Sequence, residues 1–206
     1  LRNNTVSNNT AVGIYALYAN TTGTPNDAFG YQALYANTTG TYNVAVGYQA
    51  LYSNTTGDSN VGVGTYAAFA LTTGNSNVAI GRAALLTATT AIQNVAIGRD
   101  ALRVSTASYN AAVGIGTLAS NTTGTYNIGI GNDALGSNTI GTSNIGIGVS
   151  SLVNSTTGIQ NIGVGQLSGA TITTGSNNVL VGYYAGYTGS SGNLTTGTNN
   201  IAIGYR

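Results

Sequence analysis

Residues 43–59 read NVAVGYQALYSNTTGDS, and the chain is essentially this 17-residue phrase repeated about twelve times. Each copy begins with a five-residue word: Asn, any residue, a small residue, an aliphatic residue and Gly. The anchoring Asn residues lie 17 positions apart, except for one gap of 16 and one of 22. A short fixed period kept along a chain is typical of a solenoid of stacked coils. The anchors are Asn9, Asn26, Asn43, Asn60, Asn77, Asn94, Asn110, Asn127, Asn144, Asn161, Asn178 and Asn200.

The composition favours strands over helices. Lys, Glu and Met, which favour helices, do not occur among the 206 residues, whereas Thr, Val, Ile, Tyr, Asn and Gly are abundant. The period and the composition together predict an all-β chain, a parallel β-solenoid of about twelve 17-residue coils. We expect residues 1–206 to form a single repetitive domain. Because the chain begins with Leu1 and has no Met, we expect it to be a segment of a longer polypeptide.

Charge and cysteine content narrow the range of partners. Five Arg and four Asp give a net charge of +1 at pH 7, so no strong field attracts nucleic acid or an anionic membrane. No Cys is present, which excludes disulfides and thiolate metal sites. No apolar run approaches the ~20 residues that span a bilayer, so we expect no membrane insertion in this segment.

Within one repeat we number positions from the anchoring Asn. Position 2 is mostly Val or Ile, position 3 is Ala or Gly with one exception, and position 4 is aliphatic with one exception. This alternation predicts a short strand, and we expect its Val and Ile columns to fill the coil interior. Position 5 is always Gly, which indicates a corner with positive φ or a close backbone approach. These residues are Gly13, Gly30, Gly47, Gly64, Gly81, Gly98, Gly114, Gly131, Gly148, Gly165, Gly182 and Gly204.

The second half of the repeat predicts another strand and a turn. Position 8 is mostly Ala and position 9 mostly Leu, which favours a second short strand over positions 8–10. Positions 12–15 read Asn-Thr-Thr-Gly or a close variant, a turn that returns the chain to the next Asn. The five extra residues of the 22-residue gap, 189–193, are Gly- and Ser-rich, and we expect them to bulge from one corner.

Stacking places equivalent side chains above one another at ~4.8 Å. The Asn column can then pass amide hydrogen bonds from coil to coil, whereas a charged column would place like charges together.

One 17-residue coil encloses little apolar volume, so we expect the small position 3 to contact other chains around a threefold axis. The candidate contact residues are Ala11, Ala45, Ala79, Gly129 and Ala202. The alternative is a monomeric solenoid with a flat, solvated Ala/Gly face.

Three stretches carry a family resemblance. NSNVAIG at 75–81, TSNIGIG at 142–148 and GTNNIAIG at 197–204 resemble the repeated motif of trimeric autotransporter adhesin heads. The longer phrase at 37–57 is similar to repeats in phage tail fibres and large surface fibre proteins. The resemblance implies a homotrimer of left-handed parallel β-rolls in an extracellular location, on a cell surface or a virion.

The motifs that suggest chemistry are explained by the repeat. Residues 62–67 and 129–134 match a loose dinucleotide-binding pattern, but they recur in phase with the repeat and no predicted helix follows. Four Asn-Thr-Thr sequences fit the N-glycosylation pattern and also fit a tight turn; they begin at Asn20, Asn37, Asn54 and Asn121. The Asp residues are scattered, and His, Cys, Lys and Glu do not occur. We therefore expect no enzymatic activity, no cofactor and no metal site.

Two classes of function remain. The first is a structural shaft that holds a distal domain away from a virion or a cell. The second is a recognition surface for glycans or a host surface, because Tyr columns stack well on sugars. Ice binding by the Thr columns is a remote third, since neighbouring positions 13 and 14 would point to opposite sides of a strand.

Overall fold

The computed structural model describes residues 5–187 and 194–205. The chain is an all-β parallel β-solenoid with twelve short strands, one for each coil, and the described residues contain no helix. By its internal contacts the chain divides into two compact units, residues 1–100 and residues 101–206. The predicted bulge at 189–193 lies outside the described residues.

The first unit contains six strands. Each strand pairs in parallel with the next, with anchoring Asn opposite anchoring Asn where the strand includes it, as for Asn26 and Asn43. Parallel in-register pairing follows directly from the 17-residue period, because each coil repeats the same strand at the same place. The strands are β1 (Asn9–Val12), β2 (Asn26–Phe29), β3 (Asn43–Val46), β4 (Val61–Val63), β5 (Val78–Ile80) and β6 (Val95–Ile97).

The second unit also contains six strands, each of which pairs in parallel with its successor. Register is kept across the 22-residue gap, since Val179 pairs with Ile201 and Leu180 with Ala202. The strands are β7 (Ala111–Val113), β8 (Ile128–Ile130), β9 (Ile145–Ile147), β10 (Ile162–Val164), β11 (Val179–Val181) and β12 (Ile201–Ile203).

The prediction of a second strand at positions 8–10 is wrong. Positions 7 and 9 have left-handed backbones although they are rarely Gly; Gln49 has φ 52° and Leu51 has φ 50°. An extended strand cannot contain such residues, so this part of the coil is a series of turns. Coil-to-coil hydrogen bonds nevertheless continue, as when the N–H of Leu51 donates to the carbonyl of Ala67 at 2.9 Å.

The strand faces the opposite way from our prediction. Ala45 at position 3 is fully buried, whereas its neighbour Val46 at position 4 is 37% exposed. The same pattern holds at Ala79 and Ile80. The prediction that Val and Ile fill the coil interior is therefore wrong, and the small column faces inward.

The Leu column at position 9 explains why position 3 is small. Leu51 is fully buried, and a Cβ placed on Gly62 in the following coil would lie 3.0 Å from the Leu51 Cγ. A Cβ on Gly146 would meet the Cγ of Leu135 at 3.1 Å. The thin coil therefore fills its interior with one large residue at position 9 and a small one opposite it.

Around Leu180, two successive coils exchange the large and small positions. Leu180 occupies position 3 and is fully buried, while Gly169 and Gly186 occupy position 9. A Cβ on Gly169 would lie 2.6 Å from a Leu180 methyl carbon, and a Cβ on Gly186 would also lie 2.6 Å from one. The total volume of the interior is conserved when the large side chain moves to the other wall.

Position 17 provides a test of the left-handed backbone. Ser59 is exposed there with φ 58°, and its N–H donates to the carbonyl of Thr41 at 2.9 Å. Asn occupies this position naturally at Asn177, with φ 59°, and tolerates left-handed φ better than Ser. We expect Ser59→Asn to raise the free energy of unfolding by about 0.5 kcal/mol in urea titrations. The β-branched control Ser59→Val should lower it, and equal stability of the two variants would contradict this account.

Candidate functional site

The anchoring Asn side chains form a buried hydrogen-bonded column. Asn60 donates its backbone N–H and its Nδ2 to the Oδ1 of Asn43, at 2.9 and 3.2 Å. Its Nδ2 also donates to the carbonyl of Gly74 at 2.8 Å, and its Oδ1 accepts from Asn77. In the second unit Asn144 bonds Asn127 in the same way. Each amide is thus satisfied inside the coil, as a buried polar group must be.

A second Asn column at position 12 was missed by sequence reasoning. Asn37 donates its Nδ2 to Asn20, and Asn54 donates to Asn37, both at 2.8 Å. Asn138 donates to Asn121 at 2.7 Å in the second unit. The recurrence of Asn at one repeat position was the available signal, but its Thr-Thr-Gly neighbours indicated only a turn.

This second column also bears on the glycosylation pattern. All four Asn residues of the Asn-Thr-Thr sequences are fully buried. Each donates its Nδ2 to the carbonyl of the Gly three residues later, at 2.9–3.0 Å. The nitrogen that would carry a glycan is therefore enclosed and bonded in the folded chain, and the turn interpretation accounts for these sequences.

The Gly at position 5 is required by both backbone angle and space. The twelve corner glycines have φ between 118° and 140°, where side chains are strongly disfavoured. A Cβ on Gly30 would lie 2.3 Å from the carbonyl oxygen of Gly47 in the next coil. The corners of neighbouring coils therefore approach too closely for any side chain.

The candidate oligomer contact at position 3 needs correction. Ala45 and Ala79 have no exposed surface in the single chain, and Gly129 is also buried. Ala11 and Ala202, in the coils of β1 and β12, are half-buried. Because these side chains point into the coil, the column is too enclosed to serve as a face for another chain.

The outward face of the strands is aliphatic instead. Positions 2 and 4 alternate with the buried position 3, so their side chains share the outer side of the sheet. In the first unit the more exposed examples are Val12, Phe29, Val46 and Ile80. In the second unit they are Val113, Ile128, Ile130, Ile147, Ile201 and Ile203. We call these two columns the outer aliphatic face of each unit.

Few charges lie near this face in the first unit. Asp27 is exposed at position 2, and Arg82 and Arg99 occupy position 6, one residue beyond the corner Gly. Asp100 lies 3.4 Å from the guanidinium of Arg82 and 3.6 Å from that of Arg99. The two stacked Arg side chains thus share one carboxylate, an exposed arrangement that contributes little stability.

Aromatic side chains cluster at the turn that follows the corner Gly in the first unit. Position 10 carries a stacked column, Tyr18, Tyr35, Tyr52 and Phe69, with ring centroids 5.1–5.2 Å apart. Because these rings stack face to face, the inner ones present edges rather than faces to solvent. Sugars that stack on an open ring face therefore have little access to the column itself.

Position 6 supplies a second aromatic column. Tyr31 and Tyr48 stack at 5.2 Å. Partial desolvation, followed by the neighbouring Tyr66 and Tyr31, raises the pKa of Tyr48 above its ordinary value even though the residue is 44% exposed. A Tyr phenol is neutral at physiological pH even at its ordinary pKa of about 10, so the Tyr48 hydroxyl carries a proton that it can donate.

The second unit has its own aromatic group, at repeat positions 6, 7 and 10. Tyr183, Tyr184, Tyr187 and Tyr205 line an open cleft of about 320 Å³. Tyr183 stacks on Tyr205 at 5.6 Å and meets Tyr184 edge-on at 4.6 Å. The four residues that line this cleft are all Tyr, so its lining is uncharged.

The Thr columns do not lie in strands, although our argument against ice binding assumed that they do. Positions 13 and 14 lie in a turn outside every described strand, so alternation of side chains does not apply to them. The hydroxyl of Thr38 donates to the carbonyl of Thr55 at 3.0 Å, and Thr122 donates likewise to Thr139. The position 13 hydroxyls thus hold neighbouring coils together.

Other chemistry finds no support in the part of the chain that the structure describes. The Gly-rich stretches at 62–67 and 129–134 are strand ends and corners of the coil. Residues 5–187 and 194–205 contain no group of three acidic, His or Cys side chains that could hold a metal. Nor do they contain a helix long and apolar enough to cross a membrane. Comparison with protein-family models, curated proteins and solved structures finds no match for this chain.

Proposed function

We propose that this chain is a structural segment of an extracellular fibre, in which copies of the chain associate through the outer aliphatic face. The observation that carries the proposal is the exposure of Val and Ile in coil after coil beside a core that is already complete. Ile130 is 43% exposed while Leu135 and Asn127 in the same coil are fully buried. A contiguous apolar surface of this kind usually marks an interaction site.

A second copy of the same chain is the partner that fits this face best. The face repeats with the coil spacing of ~4.8 Å, so an identical face has the same spacing and meets it in register. Its residues in the second unit, such as Ile145 and Ile147, are uncharged, which avoids the cost of burying unpaired charge. Closed symmetric association then covers the same patch on every subunit.

The proposal that three chains associate rests on a sequence resemblance. Residues 75–81, 142–148 and 197–204 resemble the repeated motif of trimeric adhesin heads. A shaft of this kind supports a distal domain by stiffness, which coil-to-coil hydrogen bonding and in-register strands supply.

The mass of the assembly tests the proposal directly. Light scattering should give about 62 kDa for three chains of 20.6 kDa each, and a stable monomer of 20.6 kDa would refute self-association.

A charge on the outer face should separate the chains. Ile147 is 36% exposed at position 4, so Ile147→Asp leaves the coil interior unchanged while placing a carboxylate in the proposed contact. We expect the species of about 62 kDa to fall to 20.6 kDa with unchanged circular dichroism. The control is Thr157→Asp at position 14, an exposed turn residue away from the strands. An assembly that survives Ile147→Asp but not Thr157→Asp would place the contact at the turn.

A further inference from the structure

The column at position 7 in the first unit has two short side chains between two long ones. In four consecutive coils it reads Tyr15, Gln32, Gln49 and Tyr66. Because Gln is shorter than Tyr, we expect the two middle coils to form a depression with a Tyr at each end. We call this depression the glutamine recess. From Tyr15 to Tyr66 is three coils, or ~14 Å at the usual strand spacing.

Ring contacts show that the recess lies between the two aromatic columns. The ring of Tyr15 is 6.4 Å from Tyr31 on one side and 6.4 Å from Tyr35 on the other. At the far end Tyr66 is 5.5 Å from Tyr48 and 5.6 Å from Phe69. The same repeat position in the two middle coils is therefore flanked by Tyr31 and Tyr48 at position 6 and by aromatic rings at position 10.

The floor of the recess offers neutral hydrogen-bonding groups. Gln49 donates its Nε2 to the Oε1 of Gln32 at 2.6 Å, and both side chains are half-exposed. An amide has two donor hydrogens and an acceptor oxygen with two lone pairs, so this pair keeps both donors and acceptors for a ligand. The side chains that form the recess are Tyr, Gln and Phe, none of them charged.

The two end residues differ in exposure, since Tyr15 is exposed and Tyr66 is half-buried. Tyr15 is 51% exposed, and its ring lies at 83° to Tyr18. Tyr66 lies at 86° to Tyr48. Among the described residues neither Tyr15 nor Tyr66 stacks face to face with another ring, unlike the rings of the position 10 column. A half-exposed Tyr ring beside an amide floor suits a ligand with apolar ring faces and polar edges.

From this arrangement we infer that the glutamine recess binds a neutral oligosaccharide lying along the coil axis. The apolar face of a sugar ring packs on Tyr15, Tyr66 borders the other end, and the sugar hydroxyls bond the amides of Gln32 and Gln49. An anionic glycan or a nucleic acid would require cations for its charges, which the recess does not contain. The inference concerns one chain and does not depend on association through the outer aliphatic face.

A glycan array followed by calorimetry tests this site. The intact chain should bind neutral oligosaccharides and not sulfated or sialylated ones. The decisive variant is Gln49→Tyr, which fills the recess with a residue that the column already accepts at Tyr66, where φ is 59°. We expect it to weaken binding at least tenfold, with no change in circular dichroism or assembly mass.

The matched control is Ser150→Tyr, the same position in a coil of the second unit, where Val149 and Val153 replace the aromatic neighbours. It should leave binding unchanged. Unaltered binding by Gln49→Tyr, or the absence of any neutral ligand on the array, would overturn the inference. Loss of binding in Ile147→Asp would also overturn it, since the site would then need the assembly. Assembly mass alone decides the fibre proposal, so the two fail separately.

Discussion

Asn60→Asp is expected to destabilise the first unit by about 3–5 kcal/mol at neutral pH, the typical cost of leaving an uncompensated charge buried. The Nδ2 of Asn60 donates to Asn43 Oδ1 at 3.2 Å and to the carbonyl of Gly74 at 2.8 Å. A carboxylate oxygen in its place would face two acceptors inside a fully buried site. Both hydrogen bonds are lost and replaced by repulsion between oxygens.

The loss should depend on pH. Burial and the two facing oxygens raise the pKa of the new carboxyl above its unfolded value of about 4. The folded variant then holds its proton more tightly than the unfolded chain. Its stability is therefore greatest below the unfolded pKa and declines as the pH rises through the folded pKa. Urea titrations at a series of pH values should show partial recovery in acid.

A matched control exists in the same coil. Asn75 is exposed at position 16, and its Oδ1 accepts from the N–H of Asp58 at 2.7 Å. Asn75→Asp keeps that acceptor and places the charge in water beside Asp58 of the preceding coil, so we expect a loss below about 1 kcal/mol. Equal losses in Asn60→Asp and Asn75→Asp would show that the position 1 column contributes nothing special.

Ala45→Phe should unfold the coil locally rather than affect chain association. Ala45 is fully buried opposite the Leu column, so a Phe ring overfills an interior with no room for it. Overpacking of a close-packed core usually costs about 1–3 kcal/mol, and the step from Ala to Phe belongs at the upper end of that range. The measurement is the free energy of unfolding in urea, together with the mass in light scattering.

The neighbouring residue in the same strand is the control. Val46 points outward, and Phe29 occupies the same repeat position in the previous coil. Val46→Phe should therefore be nearly neutral for folding. If Val46→Phe destabilised the chain more than Ala45→Phe, the inward face of the strand would be the opposite one.

The architecture was predictable because it depends on near neighbours in a repeated pattern. The 17-residue period fixes parallel in-register pairing, and Asn26 indeed lies opposite Asn43. The corner Gly was equally evident, since only Gly accepts φ near 130° where backbones meet. These features require no knowledge of what lies across the coil.

The left-handed turn residues could not be recognised from composition. Gln49 and Leu51 adopt φ near 50° without being Gly or Asn. Their conformation is imposed by closure of the coil and by inter-coil bonds such as that from Leu51 to Ala67. Local propensity favoured a strand there, and tertiary constraint overrode it.

By itself the sequence determined that one face of each strand is small and the other aliphatic, but not which of them points inward. Alternation has period two and is satisfied equally by either choice. The tertiary structure decided it through volume, because buried Leu51 leaves space across the coil only for a residue such as Gly62. The Val and Ile columns were thereby turned outward, where they form the face through which we propose that the chains associate.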